Sequence, residues 1–299
     1  METKEYLESV LSAQNLADDS AELKDLQARR AAVEQLIRDK YGSVPTIRYG
    51  GSKAKGTLIK ESYDLDIVCY LPCDSNAAGD TLEDIYKSIR DCLAESYYVE
   101  EKTSALRIRS KEVTDYRRDF HIDVVPGRFT DEKKADCFIY QNGAEKCRRK
   151  TNLTVHIEHI RDSGVVDAIR LLKLWKTRRT IRTRQFAFEL MIVKLLEGKK
   201  SKPLAEQLTD VWTEIKDSSG PIKVEDPANP NGNDLSGIVG DSWTVLCSAA
   251  TSTLESIKQV GWETVFGAVS KVSGVSTAER AYRAAIAVNV PNRPWCDNA

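Results

Sequence analysis

The sequence predicts an α+β fold in which a mixed sheet, braced by N-terminal helices, is faced by a C-terminal helical lobe. Three observations predict it. Apolar residues at helical spacing open the chain, short segments rich in β-branched and aromatic residues follow between Val44 and Val125, and helical spacing returns after Asn152. The chain divides accordingly into a sheet-bearing lobe over residues 1–150 and a helical lobe over 151–299 that completes a cleft. With 299 residues, 41% of them hydrophobic, both parts can bury a core.

From Thr3 to Lys40, Leu7, Val10, Leu11, Leu23, Leu26, Val33, Leu36 and Ile37 recur at helical spacing around a polar break at Asp18 to Ser20. Two helices are expected there. Strands are expected at Thr46–Tyr49, Leu65–Leu71, Tyr97–Glu100, Leu106–Arg109 and Phe120–Val125, with a helix from Thr81 to Glu95 packed on them. Helices follow near Val165–Thr180, Phe186–Leu196, Lys202–Ile215, Trp243–Val260 and Glu263–Val269. Between them, Glu225 to Asp234 is turn chemistry throughout and reads as a loop.

Composition removes several function classes. Lys and Arg number 44 against 45 Asp and Glu, and a net charge of −1 does not suit a protein that grips a long nucleic-acid duplex by counterion release. The expected partner is small, or is bound by a local patch. The strongest patch is Arg170, Lys173, Lys176, Arg178, Arg179, Arg182 and Arg184, a run with no acid in it, which faces either an anion or solvent. No apolar run approaches the roughly 18 residues that cross a bilayer, and Glu2, Lys4 and Glu5 do not make an export leader, so a cytoplasmic protein without a membrane partner is expected. The seven scattered cysteines form no C-x-x-C pair, which fits a reducing compartment. His156 and His159 have no third metal ligand near them in sequence and read as solvated or capping residues.

The chemistry begins at Tyr63-Asp-Leu-Asp-Ile-Val-Cys-Tyr-Leu71, where Asp64 and Asp66 leave one face of a strand while Leu65, Ile67 and Cys69 enter the core. Such carboxylates, with Cα atoms about 7 Å apart, repel each other, and a divalent ion between them stabilises both. A D-x-D triplet also occurs in turns and on solvated strand faces. The segment Arg118 to Pro126 repeats the alternation, with Phe120, Ile122 and Val124 inward and Asp119, His121 and Asp123 outward. If the two strands are neighbours, Asp64, Asp66 and Asp123 form a catalytic metal triad for two Mg²⁺ ions, for which Mn²⁺ can substitute, roughly 3.5–4 Å apart; the rival reading is an exposed polar face. Upstream, Tyr49-Gly-Gly-Ser-Lys-Ala-Lys-Gly-Thr57 ends a strand in a turn whose N–H groups, with Gly51 permitting close approach and Ser52 adding a hydroxyl, can cradle nucleotide phosphates.

Gly-Ser, then D-x-D, then a strand aspartate resembles the polymerase-β nucleotidyltransferase superfamily. Within it the chain, from about Val44 to Gly240, is most similar to the bacterial cyclic-oligonucleotide synthases called CD-NTases, relatives of cyclic GMP-AMP synthase and oligoadenylate synthase. Arg170-Leu-Leu-Lys-Leu-Trp-Lys176 resembles the family helix whose lysine reaches the donor triphosphate, which nominates Lys173; its rival is a solvated helix lysine. Gln185-Phe-Ala-Phe-Glu-Leu-Met191 is similar to the next family helix, which implies a nucleotide contact at Gln185 and a base-stacking surface at Phe186, a ring equally suited to the core. Asp226-Pro-Ala-Asn-Pro230 looks like the family's D-P-x-N-P loop; its rival reading is a part in lobe docking only.

The resemblance implies an enzyme that joins ribonucleoside triphosphates, ATP, GTP or pyrimidine nucleotides, into a cyclic di- or trinucleotide and releases pyrophosphate. It implies further that the product signals infection to an effector in bacterial anti-phage defence, and that the tail Asn292 to Ala299 is a point of conjugation to a partner. The alternatives are linear oligonucleotide synthesis, nucleotidyl transfer to RNA or to a small-molecule or protein hydroxyl, and a catalytically silent nucleotide-binding scaffold.

Overall fold

The computed structural model describes residues 2–16, 20–62, 65–111, 121–230 and 232–269. Asp18, Tyr63, Asp64, Arg118 to Phe120, Asn231 and the tail Asn292 to Ala299 therefore lie outside the described residues. Helices α1 (Thr3–Ala13) and α2 (Ala21–Tyr41) open the chain, α2 being capped by Ser20, whose hydroxyl accepts from the Leu23 N–H at 3.2 Å. There follow β1 (Thr46–Tyr49), the short α3 (Gly51–Lys55), β2 (Leu65–Leu71), α4 (Leu82–Ala94), β3 (Tyr97–Glu101), β4 (Leu106–Ser110), β5 (Ile122–Phe129), β6 (Cys137–Tyr140) and β7 (Arg148–Thr151). The remaining elements are helical: α5 (Leu153–Arg161), α6 (Val166–Arg178), α7 (Gln185–Leu195), α8 (Leu204–Asp217), α9 (Ser236–Gly240), α10 (Trp243–Gln259) and α11 (Glu263–Phe266). This is the α+β class that the pattern predicts.

The sheet runs β1-β2-β5-β4-β3, with β6 on the far half of β5 and β7 on β6. Only β2 and β5 pair in parallel among these strands. Local pattern predicts β5 to end at Val125, yet it continues to Phe129 because it changes neighbours: β4 pairs with Ile122–Val124 and β6 with Gly127–Phe129. Pro126, which has no N–H to give, falls between those two pairings. Sequence pattern misses β7, since Arg148-Arg-Lys-Thr151 has no apolar alternation and is a strand only by virtue of its partner β6. The short β6, α5 and α9 were likewise beyond the expected elements.

One core lies between the sheet and helices α2 and α4. Leu65, Ile67, Cys69, Leu106, Ile108, Ile122 and Val124 enter it from the strands, and Ile85, Tyr86, Ile89, Cys92 and Leu93 from α4. Helix α4 starts in a capping box: the Thr81 hydroxyl accepts from the Asp84 N–H at 3.1 Å, and the Asp84 carboxylate accepts from the Thr81 N–H at 3.0 Å. Alternation then sends the intervening residues of β2, β4 and β5 to the opposite face.

The other large core belongs to the helices after Asn152, and α1 joins it rather than the sheet. Tyr6, Leu7, Val10 and Leu11 are buried among residues of α6, α8 and α11, and the Tyr6 hydroxyl donates to the Gly267 carbonyl at 2.7 Å. At its centre Trp175 and Trp212 are both fully buried with ring centroids 5.8 Å apart. Trp175 Nε1 donates to Thr253 Oγ1 at 2.9 Å, whereas Trp212 Nε1 is buried without a partner among the described residues. No helix among the described residues is long and apolar enough to cross a membrane. Trp175→Ala is expected to cost about 3–5 kcal/mol in denaturant titrations, whereas Trp212→Phe, which also removes an unpartnered N–H, should cost far less.

Candidate functional site

The site is assembled on the sheet face turned away from α2 and α4. Asp66 is the second residue of β2, between the buried Leu65 and Ile67, and Asp123 is the second of β5, between the buried Ile122 and Val124. They are register partners across the parallel pair. Strand spacing therefore brings their Cα atoms to about 4.8 Å, with both carboxylates on one face. Asp64, the remaining member of the expected triad, lies outside the described residues. Among the described residues no three metal-ligating side chains converge.

Sequence reasoning missed Arg107. It stands on β4 opposite Asp123, on the side away from β2, and its Nε and Nη2 donate to the two Asp123 carboxylate oxygens at 2.8 and 2.9 Å. Alternation in Leu106-Arg-Ile-Arg109 places Arg107 on the polar face, but only strand register says which carboxylate it meets.

The glycine-serine turn fits closely over Asp66. The Gly50 N–H donates to the Asp66 carbonyl at 2.9 Å, and Gly51 has a φ of +57°. A Cβ on Gly51 would fall inside the Asp66 carboxylate, so both conformation and space demand glycine. Ser52 follows at the start of α3, and its hydroxyl accepts from Lys173 Nζ at 2.7 Å. Lys173 crosses from α6, is only 3% exposed, and is also 3.4 Å from the Thr57 carbonyl. It is thus a buried lysine under the turn and not one on a solvated helix face.

A second helix clamps the same turn through a residue the sequence did not single out. Glu189 of α7 is fully buried; it is ion-paired with Lys55, and it accepts from the Thr57 hydroxyl at 2.7 Å and from Gln185 Nε2 at 3.3 Å. Phe186, one residue after Gln185, has the Lys55 ammonium 5.0 Å from its ring centroid and the His156 ring 4.6 Å away. The structure thus brings Gly51, Ser52 and Lys173 together beside Asp66, and gathers Gln185 and Phe186 around Lys55 and Glu189.

Solved structures share this architecture. Escherichia coli MS115-1 CdnC, in a complex with HORMA-deltaN, superposes with a TM-score of 0.64 at 17% identity, over 92% of this chain and 99% of that one. Bradyrhizobium diazoefficiens CD-NTase CdnG in complex with GTP gives 0.64 at 14% identity, over 87% and 94%. Vibrio cholerae DncV cyclic AMP-GMP synthase, in complex with nonhydrolyzable GTP, gives 0.61 at 16% identity, over 91% and 87%. This chain has the CD-NTase fold. At the level of sequence, no family model and no curated protein matches it.

The resemblance read from the sequence implies Mg²⁺ as the cofactor. The residues present fit that ion. Asp66 and Asp123 offer hard carboxylate oxygens side by side, and Gly51 leaves no side chain over Asp66. The D-P-x-N-P loop lies against α5: Asp226 is 2% exposed and accepts from the Ala228 N–H at 2.9 Å and Asn233 Nδ2 at 2.7 Å. It also lies 2.6 Å from His156 Nε2, so His156 holds that loop and is neither a solvated nor a capping residue. The basic run is largely used within the chain. Arg170 bonds Asn15, Arg178 bonds Glu61 and the Phe266 carbonyl, Lys176 donates to the Thr183 carbonyl and Arg179 to Ser252, while Arg182 and Arg184 are exposed.

Removing the Glu189 carboxylate strands a buried cation. Glu189→Ala is expected to destabilise the fold by about 3–5 kcal/mol, and Lys55→Met with Glu189→Leu should recover most of that in the same unfolding measurement. Burial pushes the Asp226 carboxyl up, but the hydrogen bond and charge of His156, with Asn233 and the Ala228 N–H, outweigh it and leave it below the usual carboxylate range. Because the folded-state pKa is the lower one, Asp226 stabilises the fold above the ordinary carboxylate pKa and loses that contribution as pH falls through the depressed value. The melting-temperature gap between wild type and Asp226→Asn should therefore be full at pH 5–6 and shrink below about pH 4.

Proposed function

We propose that this chain is a Mg²⁺-dependent nucleotidyltransferase that joins ribonucleoside triphosphates into a cyclic di- or trinucleotide with release of pyrophosphate. The observation that carries the reading is the register of Asp66 with Asp123 beneath the Gly51-Ser52 turn, on a chain with the CD-NTase fold. Residues 1–150 form the catalytic lobe in this reading, and residues 151–299 complete the nucleotide cleft.

Asp64, Asp66 and Asp123 are the residues that would hold two Mg²⁺ ions. When bound, the ions neutralise phosphate charge and ease ionisation of the attacking hydroxyl. The Gly51 turn and Ser52 hold the donor triphosphate, and Lys173, already under that turn, adds its positive charge from below. Clamping by Lys173 and Glu189 keeps those donors in place before a nucleotide arrives. A 2′- or 3′-hydroxyl of the second nucleotide bonds to the α-phosphorus of the first, the α–β bridging bond breaks, and pyrophosphate leaves with that bond's electrons. Asp123 takes the hydroxyl proton. Gln185 and Phe186 lie on the first turn of α7, where a base edge and a base face would meet the protein. A second, intramolecular transfer of the same kind closes the ring.

Related CdnG and DncV structures contain GTP or its analogue, and the CdnC structure contains a HORMA protein. By analogy we assign nucleoside triphosphates as substrates and a product-sensing effector in a cytoplasmic anti-phage pathway. Asp64→Asn with Asp66→Asn is expected to reduce Mg²⁺-dependent pyrophosphate release to background while leaving the melting temperature unchanged or higher, since mutually repelling charges are removed. Pyrophosphate release that persists in a folded double variant overturns the assignment. In the wild type, incubation with labelled nucleotides followed by phosphatase should leave resistant small products, and purely phosphatase-sensitive products would point to linear synthesis.

A further inference from the structure

A row of charged side chains crosses the sheet on its site face. Asp66 of β2 is the register partner of Asp123 of β5, Asp123 is that of Arg107 of β4, and Arg107 is that of Glu100 of β3. Residues opposite one another in a sheet project to the same side. Arg107 therefore stands between two carboxylates, with a strand spacing of about 4.8 Å to each backbone. Its fork lies on Asp123, whereas Glu100 is bonded to Lys102 at 2.5 Å. The Glu100 carboxyl is held below its ordinary range, first by that lysine and in smaller part by the charge of Arg107. The Arg107 and Asp123 side chains are 27% and 22% exposed, so the pair lies at the surface of the site and not in a core.

We propose that Arg107 is the resident counter-cation of the metal site, neutralising Asp123 while no divalent ion is bound and passing to Glu100 when an ion takes Asp123. This rests on the metal-site reading of Asp66 and Asp123. A bidentate guanidinium takes one lone pair on each Asp123 oxygen and so competes with an ion for that carboxylate. Its positive charge also repels a second cation. An ion that takes the same lone pairs displaces it, and Glu100 supplies the destination. Arg107 thereby lowers metal affinity and keeps the site electrically satisfied when empty of nucleotide.

Calorimetric titration of the full chain with Mn²⁺ tests this without reference to turnover. Arg107→Gln should bind Mn²⁺ roughly three- to tenfold more tightly, and Mn²⁺ should raise its melting temperature more than that of wild type. Arg107→Lys, which keeps the charge but not the fork, should fall between them and serves if the glutamine variant folds poorly. Glu100→Gln should weaken Mn²⁺ binding when Arg107 is present and leave it unchanged in the Arg107→Gln background. Equal or weaker Mn²⁺ binding by both Arg107 variants, with wild-type binding intact, overturns the proposal, because Arg107 would then orient Asp123 toward the ion. Absence of Mn²⁺ binding in wild type and every variant overturns the metal-site reading and the proposal together.

Discussion

Two carboxylates held opposite each other on adjacent parallel strands are an arrangement that electrostatics opposes. Unit charges about 5 Å apart at an effective dielectric near 20 repel by about 3 kcal/mol, and Asp66 and Asp123 have no freedom to slide apart. The pairing of Leu65 with Ile122 and of Ile67 with Val124 fixes the register, since a one-residue slip would turn those apolar side chains out of the core. The apolar face thus imposes the charged one. Arg107, whose fork meets Asp123, and the Gly51 turn, which leaves no side chain over Asp66, both accommodate that pair.

The turn over Asp66 is the second point of tension, because a five-residue helix has little stability of its own. It is held from outside. Lys173 of α6 reaches Ser52, and Glu189 of α7 gathers Lys55 and Thr57, so two helices from the other half of the chain fix a segment of the first half. A buried carboxylate is costly unless it is paired and hydrogen-bonded, and Glu189 is both. Its contacts also set the Gln185 side chain and, through Lys55, the surroundings of Phe186. The glycine-serine turn and the first turn of α7 are therefore mechanically one unit.

How far the sequence can be read depends on whether a property is local. Strands β1 and β2 appear with the ends that composition predicts, because alternation and β-branched residues act within a few positions. For the same reason the inward and outward sides of Leu65 to Cys69 and of Ile122 to Val124 are legible. Partnership is not local. Nothing in Leu106-Arg-Ile-Arg109 says that its first arginine meets Asp123, and Glu189 sits in an apolar helical run where a charge looks like an exception without a cause. His156 and Asp226 likewise find each other only through the docking of a loop on α5. The role proposed for Lys173 comes from resemblance and those proposed for Gly51 and Ser52 from local turn chemistry, while the packing that unites them comes from the fold.

Helix α1 has a consequence for how the molecule comes into being. Its apolar stripe precedes every strand in the chain, yet the helices that cover it, α6, α8 and α11 with the Gly267 carbonyl that receives the Tyr6 hydroxyl, all follow the last strand of the sheet. During translation that stripe must wait until the sheet has been made and α6 follows it, while the sheet and α2 can close on their own core. Loop closure over so long a span is slow compared with the local pairing of β2 with β1. The helical wall that steadies the glycine-serine turn is therefore sealed late, so a chain interrupted before α11 would carry the strand carboxylates without the finished scaffold behind them.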